Sequence, residues 1–417
     1  MVSLVSILVL CFANTLFNKE IAIIQPFSTA LIAKILLRHR TKTVLEKIIA
    51  TYVWTLIICW GHFSASLVAG HLKRHKSNVT RILKKDLRLH TLWHILTKKV
   101  LENSGKKAWL IIDSTIKGKR GKKFCNLQKF KTAHGYTVGH CFVFALLVCE
   151  DGSEHIVAVK PYITKKFSRR TKREFKTQNQ LAVEILQEIQ TPLTTHLIVV
   201  ADSAFLADFV VDEIRRHPQW SFVSSLDSNR KITVKGYTSH AHSFGSRHLP
   251  DLRPMSISCN GRKHALHTMS ANAEISKVGE STVVVSRRGR QTLLLAGVGK
   301  ELSSREICYA YLLRWRIEVL FKELKQYLHF GSYQFRELEA YMNHILLVIL
   351  AHAMLKHLYP DHTVAEAKKL AYESSQKEFL HELRYDLTKF HGNKIVKNKI
   401  LQAIPATPSS LPLRVAG

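Results

Sequence analysis

Two aliphatic runs that each end in an aspartate constrain this chain more than any other feature: WLIID at 109–113 and HLIVVAD at 196–202. Such runs, rich in Ile and Val and too short for helices, are the pattern of strands covered on both faces. Each predicts a buried strand that brings its carboxylate, Asp113 or Asp202, to the sheet edge. CFVFALLVC at 141–149 and HIVAVK at 155–160 predict two further strands. Helical patterns follow at about 172–190 and about 204–216. Strands alternating with helices argue for a layered α/β core, and ligands of open α/β sheets bind beyond the carboxyl ends of the strands. A single Asp ending a strand is ordinarily a turn residue, so the pair needs a third member to carry weight.

The flanking regions have other periods. Residues 1–105 read as mostly helical. They end in HLKRHKSNVTRILKKDLRLH at 71–90, where Ser77 or Asn78 is the expected cap of a helix carrying Arg81, Lys84, Lys85 and Arg88. That helix is either a DNA-reading element or a solvated basic face. The core then occupies 106–217. Across 218–300, WSFVSSL, KITVKGY, STVVV and QTLLLAGV predict a strand-rich insertion. The core resumes over 301–345, where Ser303 and Glu306 form the S-x-x-E signature of a helix start, and 346–417 completes the chain as a helical region. The apolar runs at 50–61 and 340–358 read as core helices, the second holding His344, His352 and His357, which disfavours a membrane span. The apolar N-terminus, MVSLVSILVLCFANTL, lacks the basic start and cleavage site of a signal peptide and reads as a buried helix.

Sixty-two Lys and Arg against thirty-one Asp and Glu give a formal charge of +31. This excess fits a polyanionic partner, because neutralising phosphates releases condensed counterions. Nucleic acid is the first such partner, and a merely basic protein is the alternative. The runs 117–123, 164–176 and 287–290 either join into a phosphate track or are separate solvated loops. Seven cysteines without a C-x-x-C pair or zinc spacing imply reduced, mostly buried thiols in a cytoplasmic protein.

The third acid lies in YLLRWRIEVLFKELKQYLHF at 311–330. Tyr311, Arg314, Glu318 and Lys325 fall within an arc of roughly 60° on one helix face at about 100° per residue, opposite an apolar stripe. This is either a site-facing stripe or an amphipathic helix with an Arg314–Glu318 ion pair. Trp315 projects beside the stripe, to stack on a base or to pack partly buried in the core. Thr115, two residues after Asp113 on the same strand face, supports the site or faces solvent.

The spacing Y-x2-R-x3-E-x6-K, with Asp113 and Asp202 upstream, resembles the signature of the IS4-type family of bacterial insertion-sequence DDE transposases. The resemblance covers roughly 105–345. It implies an α/β, ribonuclease H-like catalytic core with a β-strand-rich insertion between the second Asp and the Glu, flanked by helical N- and C-terminal regions. It further implies that Asp113, Asp202 and Glu318 are the catalytic residues and hold Mg²⁺, with Mn²⁺ as a substitute. Two such ions roughly 3.5–4 Å apart suit in-line displacement at phosphorus, and carboxylates suit hard cations. The expected activity is metal-dependent cleavage at insertion-sequence ends and strand transfer of the 3′-hydroxyl into target DNA. A metal-dependent nuclease of the same fold and an inactive DNA-binding derivative are the alternatives. Tyr311, Arg314, Lys325 and Trp315 are then DNA contacts. The partners are double-stranded DNA, at element ends and target, and a second copy of the chain in the end-paired complex, with no membrane. The expected location is the bacterial cytoplasm, at the nucleoid. A hairpin route to release is implied by the resemblance alone.

Overall fold

A computed structural model describes residues 44–389, apart from Arg88, Asn103, Lys122, Ala133 and His134. The predicted N-terminal buried helix lies outside the described residues. The helices are α1 (Val44–Ile58), α2 (Ala65–His71), α3 (Lys76–Leu83), α4 (Leu89–Glu102), α5 (Lys165–Thr171) and α6 (Gln178–Glu188). They continue as α7 (Asp208–Arg215), α8 (Ala241–Arg247), α9 (Ser304–Leu313), α10 (Trp315–Gln326), α11 (Leu338–Leu358) and α12 (Val364–Lys389). Two compact units result, one from Arg88–Phe321 and the other from the described residues before and after it.

The Arg88–Phe321 unit is built on a twelve-stranded sheet. Its first half comprises β1 (Lys107–Gly118), β2 (Gln128–Thr132), β3 (Gly135–Cys149), β4 (Glu154–Pro161), β5 (His196–Ala201) and β6 (Trp220–Ser225). β3 lies antiparallel to β1 on one edge and to β2 and β4 on the other, while β5 runs parallel to β1 and β6 parallel to β5. The second half is antiparallel: β7 (Lys231–Val234), β8 (Tyr237–His240), β9 (Arg253–Cys259), β10 (Arg262–Ile275), β11 (Gly279–Arg288) and β12 (Gln291–Gly299). β12 pairs with β6, so these strands extend one sheet instead of forming a separate one.

Helices cover both faces around β1, giving the layered α/β arrangement read from the sequence. Alternation along a strand sends Leu110 and Ile112 to one face, where they join Leu181 and Ile185 of α6 and Val210 and Ile214 of α7 in the main apolar cluster. Trp109 on the other face meets Tyr309 of α9 edge-on, with ring centroids 5.3 Å apart. On that face too, Phe144, paired with Asp113 across β3, meets Phe321 of α10 at 5.5 Å. Each such side chain contributes about 1.5–3 kcal/mol on burial.

Local chemistry corrects several sequence-based boundaries. The helix expected over 172–190 is two, because Lys172 turns left-handed (φ 55°) to end α5, and Thr177 and Gln180 form a capping box that starts α6. The basic run at 164–176 is therefore partly helix, not wholly a loop. The helix expected over 204–216 splits into a tight turn at Ser203–Phe205 and α7. In the basic segment His75, not Ser77 or Asn78, caps α3, its ring accepting from Ser77 N–H. Of the four basic residues expected on this helix only Arg81 falls inside it, since α3 ends at Leu83.

The other unit is helical. α11 is long and apolar enough to cross a membrane, yet the fold buries 89% of its most apolar window. Its polar side chains are matched inside this unit. His344 Nε2 lies 3.0 Å from the His329 carbonyl and so must carry the proton, leaving Nδ1 to accept from the Tyr52 hydroxyl at 2.7 Å. Asn343 donates to the carbonyls of Leu83 and Lys85.

Candidate active site

β1 and β5 pair in register to Ile111 and Val200, and two further residues along each parallel strand bring Asp113 and Asp202 side by side. Asp113 accepts the Ser114 N–H at 2.7 Å, and Asp202 accepts the Ala204 N–H at 3.0 Å, capping the turn that follows β5. Thr115 is buried on the Asp113 face and does not reach solvent.

The third acid is delivered from α10. Ser303 and Glu306 close the predicted capping box at the start of α9, and Glu306 also pairs with Lys107 at the start of β1 at 2.5 Å. That contact ties α9 to β1 and sets how far along the strand the helix reaches. The single helix expected from about 304 onward is interrupted at Arg314, where hydrogen bonds tighten from a four-residue to a three-residue span on both sides. Tyr311 thus lies in the last turn of α9 while Glu318 and Lys325 belong to α10.

Arg314 binds the acids together. Its Nη1 donates to Asp113 Oδ2 at 3.1 Å and its Nη2 to Glu318 Oε1 at 2.5 Å. The guanidinium also lies over the Tyr311 ring, 5.7 Å from its centroid. Burial opposes its charge, but Tyr311, Asp113 and Glu318 keep it protonated. The two arrangements left open by the sequence coexist: the Arg314–Glu318 pair is made, and it faces Asp113.

This cation does not neutralise the cluster. Burial first, and then the charge of Asp202, push the Asp113 carboxyl up to about 6, with Glu318 adding to the rise against the Ser114 N–H and Arg314. Asp202 is raised as well, by burial first and in part by Asp227. Asp227, just beyond β6, is thus a fourth acid at this edge that the sequence reading missed; its signal was a further acid following the strand WSFVSSL. Arg316 was missed too. It fastens the start of α10 by donating to the Gly152 carbonyl (3.1 Å), Glu154 Oε1 (2.9 Å) and Asn260 Oδ1 (2.7 Å).

Of the remaining expected residues, Trp315 is 60% exposed, so it does not pack in the core. Lys325 follows in the last turn of α10.

Three carboxylates offer hard oxygen donors of the kind divalent cations prefer. In this conformation Arg314 stands between two of them, and among the described residues no group of three or more His, Cys, Asp or Glu closes on one ion position. The donor chemistry and the unrelieved repulsion at Asp113 fit a divalent cation, whose binding would take over the role of the guanidinium.

A family model described as the transposase DDE domain matches residues 104–354, more than half of the chain and spanning all three acids. The chain belongs to this family. No curated protein matches the sequence. As a DDE transposase it acts on DNA, and the charge excess and the acidic edge acquire a common substrate.

Proposed function

We propose that this DDE transposase is of the IS4 type and cuts its element from DNA, with Asp113, Asp202 and Glu318 as its catalytic acids. The observation that carries the reading is the convergence of Asp113 and Glu318 on one guanidinium, with Asp202 on the adjacent parallel strand. The antiparallel order β4–β3–β1 followed by parallel β5 and β6 supports a ribonuclease H-like core, and β7–β12 correspond to the insertion before the acidic helix. The domain division at 106–217, 218–300 and 301–345, with helical flanks, is part of this proposal except that β6, inside the second range, belongs with the core because it pairs parallel with β5.

Asp113, Asp202 and Glu318 would hold Mg²⁺ or Mn²⁺, which when bound activates the attacking oxygen and stabilises the leaving one. The chain's own groups do the positioning. Arg314, released from Asp113, is placed to bind a phosphate oxygen bidentately. Tyr311 donates a hydrogen bond to the same phosphate region, Lys325 extends the contact, and exposed Trp315 stacks on a base unpaired near the cut. Water adds to phosphorus, the bond to the 3′-oxygen breaks, and that oxygen leaves as a 3′-hydroxyl. This hydroxyl then attacks a target phosphodiester, so one bond to phosphorus forms as another breaks. The active species is a homodimer on paired ends in the bacterial cytoplasm.

The test is cleavage of labelled DNA carrying the native element end with Mg²⁺, comparing wild type with Glu318→Ala. Cutting at the end that disappears in the variant, together with joined products, supports the proposal. Cutting without joining makes the protein a nuclease, and cutting that survives in the variant removes Glu318 from the site.

A further inference from the structure

Between Asp113 and Glu150 the chain contains no acidic residue, yet it carries seven Lys and Arg: Lys117, Lys119, Arg120, Lys122, Lys123, Lys129 and Lys131. The fold gives this stretch a definite surface. β1 and β3 pair without a break from Ala108–Cys149 to Gly118–Gly139, so Asp113, Thr115 and Lys117 share one face with Phe144, Phe142 and His140 opposite them. The register continues into the β2–β3 hairpin, where Lys129 pairs with Val138 and Lys131 with Tyr136. Counting by twos along β3 puts all four on the face that bears Asp113.

That face is open on the hairpin. Lys129 and Lys131 are exposed, Tyr136 is 67% and Val138 46% exposed, and the Lys129 ammonium lies 4.2 Å from the Tyr136 ring centroid. On the reverse side Phe130 is buried and meets Tyr162 at 6.1 Å, which anchors the hairpin to the sheet. Gly139 permits the close crossing at its base, since a β-carbon there would lie 2.1 Å from the Lys117 carbonyl oxygen. Burial and then the charge of Lys117 lower Lys119 to about 7, a strain that a bound anion relieves.

We infer that the β2–β3 hairpin is a docking surface for the phosphate backbone of the duplex flanking the element, beyond the scissile phosphate. At about 3.3 Å per strand residue, Lys117 lies ~13 Å from Asp113, and the hairpin positions lie ~20–26 Å away. Those spans correspond to roughly four to eight base pairs at ~3.4 Å per phosphate of one strand. Lysines and a tyrosine hydroxyl contact phosphates, and such contacts fix position without reading sequence. Sequence-independent grip suits the flank, whose sequence changes with every insertion, whereas the element end is constant. This inference rests on the transposase reading for its substrate.

The experiment measures binding of the full chain to two duplexes with the same element end, one stopping at the cut and one continuing for about twelve base pairs of arbitrary flank. Wild type is expected to bind the flanked duplex more tightly. Combining Lys129→Ala with Lys131→Ala should remove about tenfold of that affinity and lower the slope of log K against log salt by about two, leaving the flankless duplex bound as before. Lys129→Arg with Lys131→Arg should restore it. Equal loss on both duplexes, or no loss on the flanked one, overturns the assignment. Should wild type fail to prefer the element end over a scrambled duplex, the proposed action at element ends fails separately. The hairpin as a DNA surface then stands or falls on whether the alanine pair lowers the salt slope on the scrambled duplex.

Discussion

Asp113 in the sheet unit and Lys368 in the helical unit are both buried ionisable groups, and the two units treat them in opposite ways. Lys368 donates to the carbonyls of Leu56, near the end of α1, and Tyr327, just past α10, with its Nζ 5.3 Å from the Trp60 ring centroid. Helix C-termini present unpaired carbonyls with partial negative charge, so the amine is well placed to donate there. Burial lowers its pKa to about 7. Asp113 has one N–H and one guanidinium, but also two acids for neighbours. A buried group that finds acceptors for its hydrogen bonds ties a fold together, as Lys368 does even with the His329 ring 3.5 Å from its Nζ. One that the fold buries beside other acids, with only a partial counter-charge, is a site prepared for something the protein must bind.

The largest expected effect tests the repelled group. Asp113→Asn should reduce end cleavage by about a thousandfold or more while leaving end binding in place. Without divalent metal the same variant should be more heat-stable than wild type at neutral pH. The sign follows from linkage. The folded-state pKa near 6 lies above the unfolded value, so between about pH 4 and 6 the folded state holds more protons, and stability falls as pH rises through that window. Melting curves across pH 4–8 should show this fall in wild type and lose it in the variant. A wild-type profile flat over that range would mean the carboxyl is not strained.

Lys368 should give the opposite slope. Its folded pKa, about 7, lies below the unfolded value near 10.4, so across that interval the unfolded state holds more protons and stability rises with pH. Lys368→Met should flatten the rise. Lys368→Ala should cost about 2–4 kcal/mol in denaturant titrations, because it leaves both carbonyls unpaired and a void where the stem was. If both variants behave alike, stem packing rather than the amine holds the helices, and the contrast with Asp113 loses half its basis.

Arg314 is the cation that partly offsets the repulsion, and its removal sharpens the same contrast. Arg314→Ala should destabilise the metal-free protein by about 1–3 kcal/mol at neutral pH, since three acids then share the edge without a counter-ion. Calorimetric titration with Mn²⁺ should show tighter binding than in wild type, because no guanidinium has to be displaced. Weaker Mn²⁺ binding would show that Arg314 supports the metal site instead of competing with it.

Much of this edge was legible in the sequence because strand and helix periods are local. WLIID and HLIVVAD announced both strands and their acids, and the capping box announced α9, but β1 runs on past Asp113 to Gly118, so only Asp202 stands at a strand end. What was not legible depends on partners distant in sequence. Glu318 could be assigned to a helix face, but only the fold shows that Arg314 reaches back 201 residues to Asp113. Asp227 and Arg316 had no spacing signature, because their roles come from strand order and from turns at Gly152 and Asn260. The break at Arg314 was hidden because residues on either side retain a helical pattern. The hairpin surface follows from register, since whether Lys129 shares a face with Asp113 depends on an unbroken pairing that composition does not encode.

The smallest effect concerns how α9, the helix that carries Tyr311, is started. Ser303→Ala removes the oxygen that accepts the Glu306 N–H and should destabilise the protein by about 1 kcal/mol. Glu306 has a second partner in Lys107, and its carboxyl is held at about 2 although burial, the largest influence on it, acts the other way. The Lys107 bond, with the Ser303 backbone and hydroxyl, outweighs that burial. With Lys107 intact the start of α9 should stay in place and end cleavage should change little. Combining Ser303→Ala with Lys107→Ala removes both restraints, so a loss of cleavage greater than the product of the single effects would show that α9 sets the position of Arg314 over Asp113. Simple additivity in that cycle would instead confine the cap to stability and leave the site's alignment to Arg316.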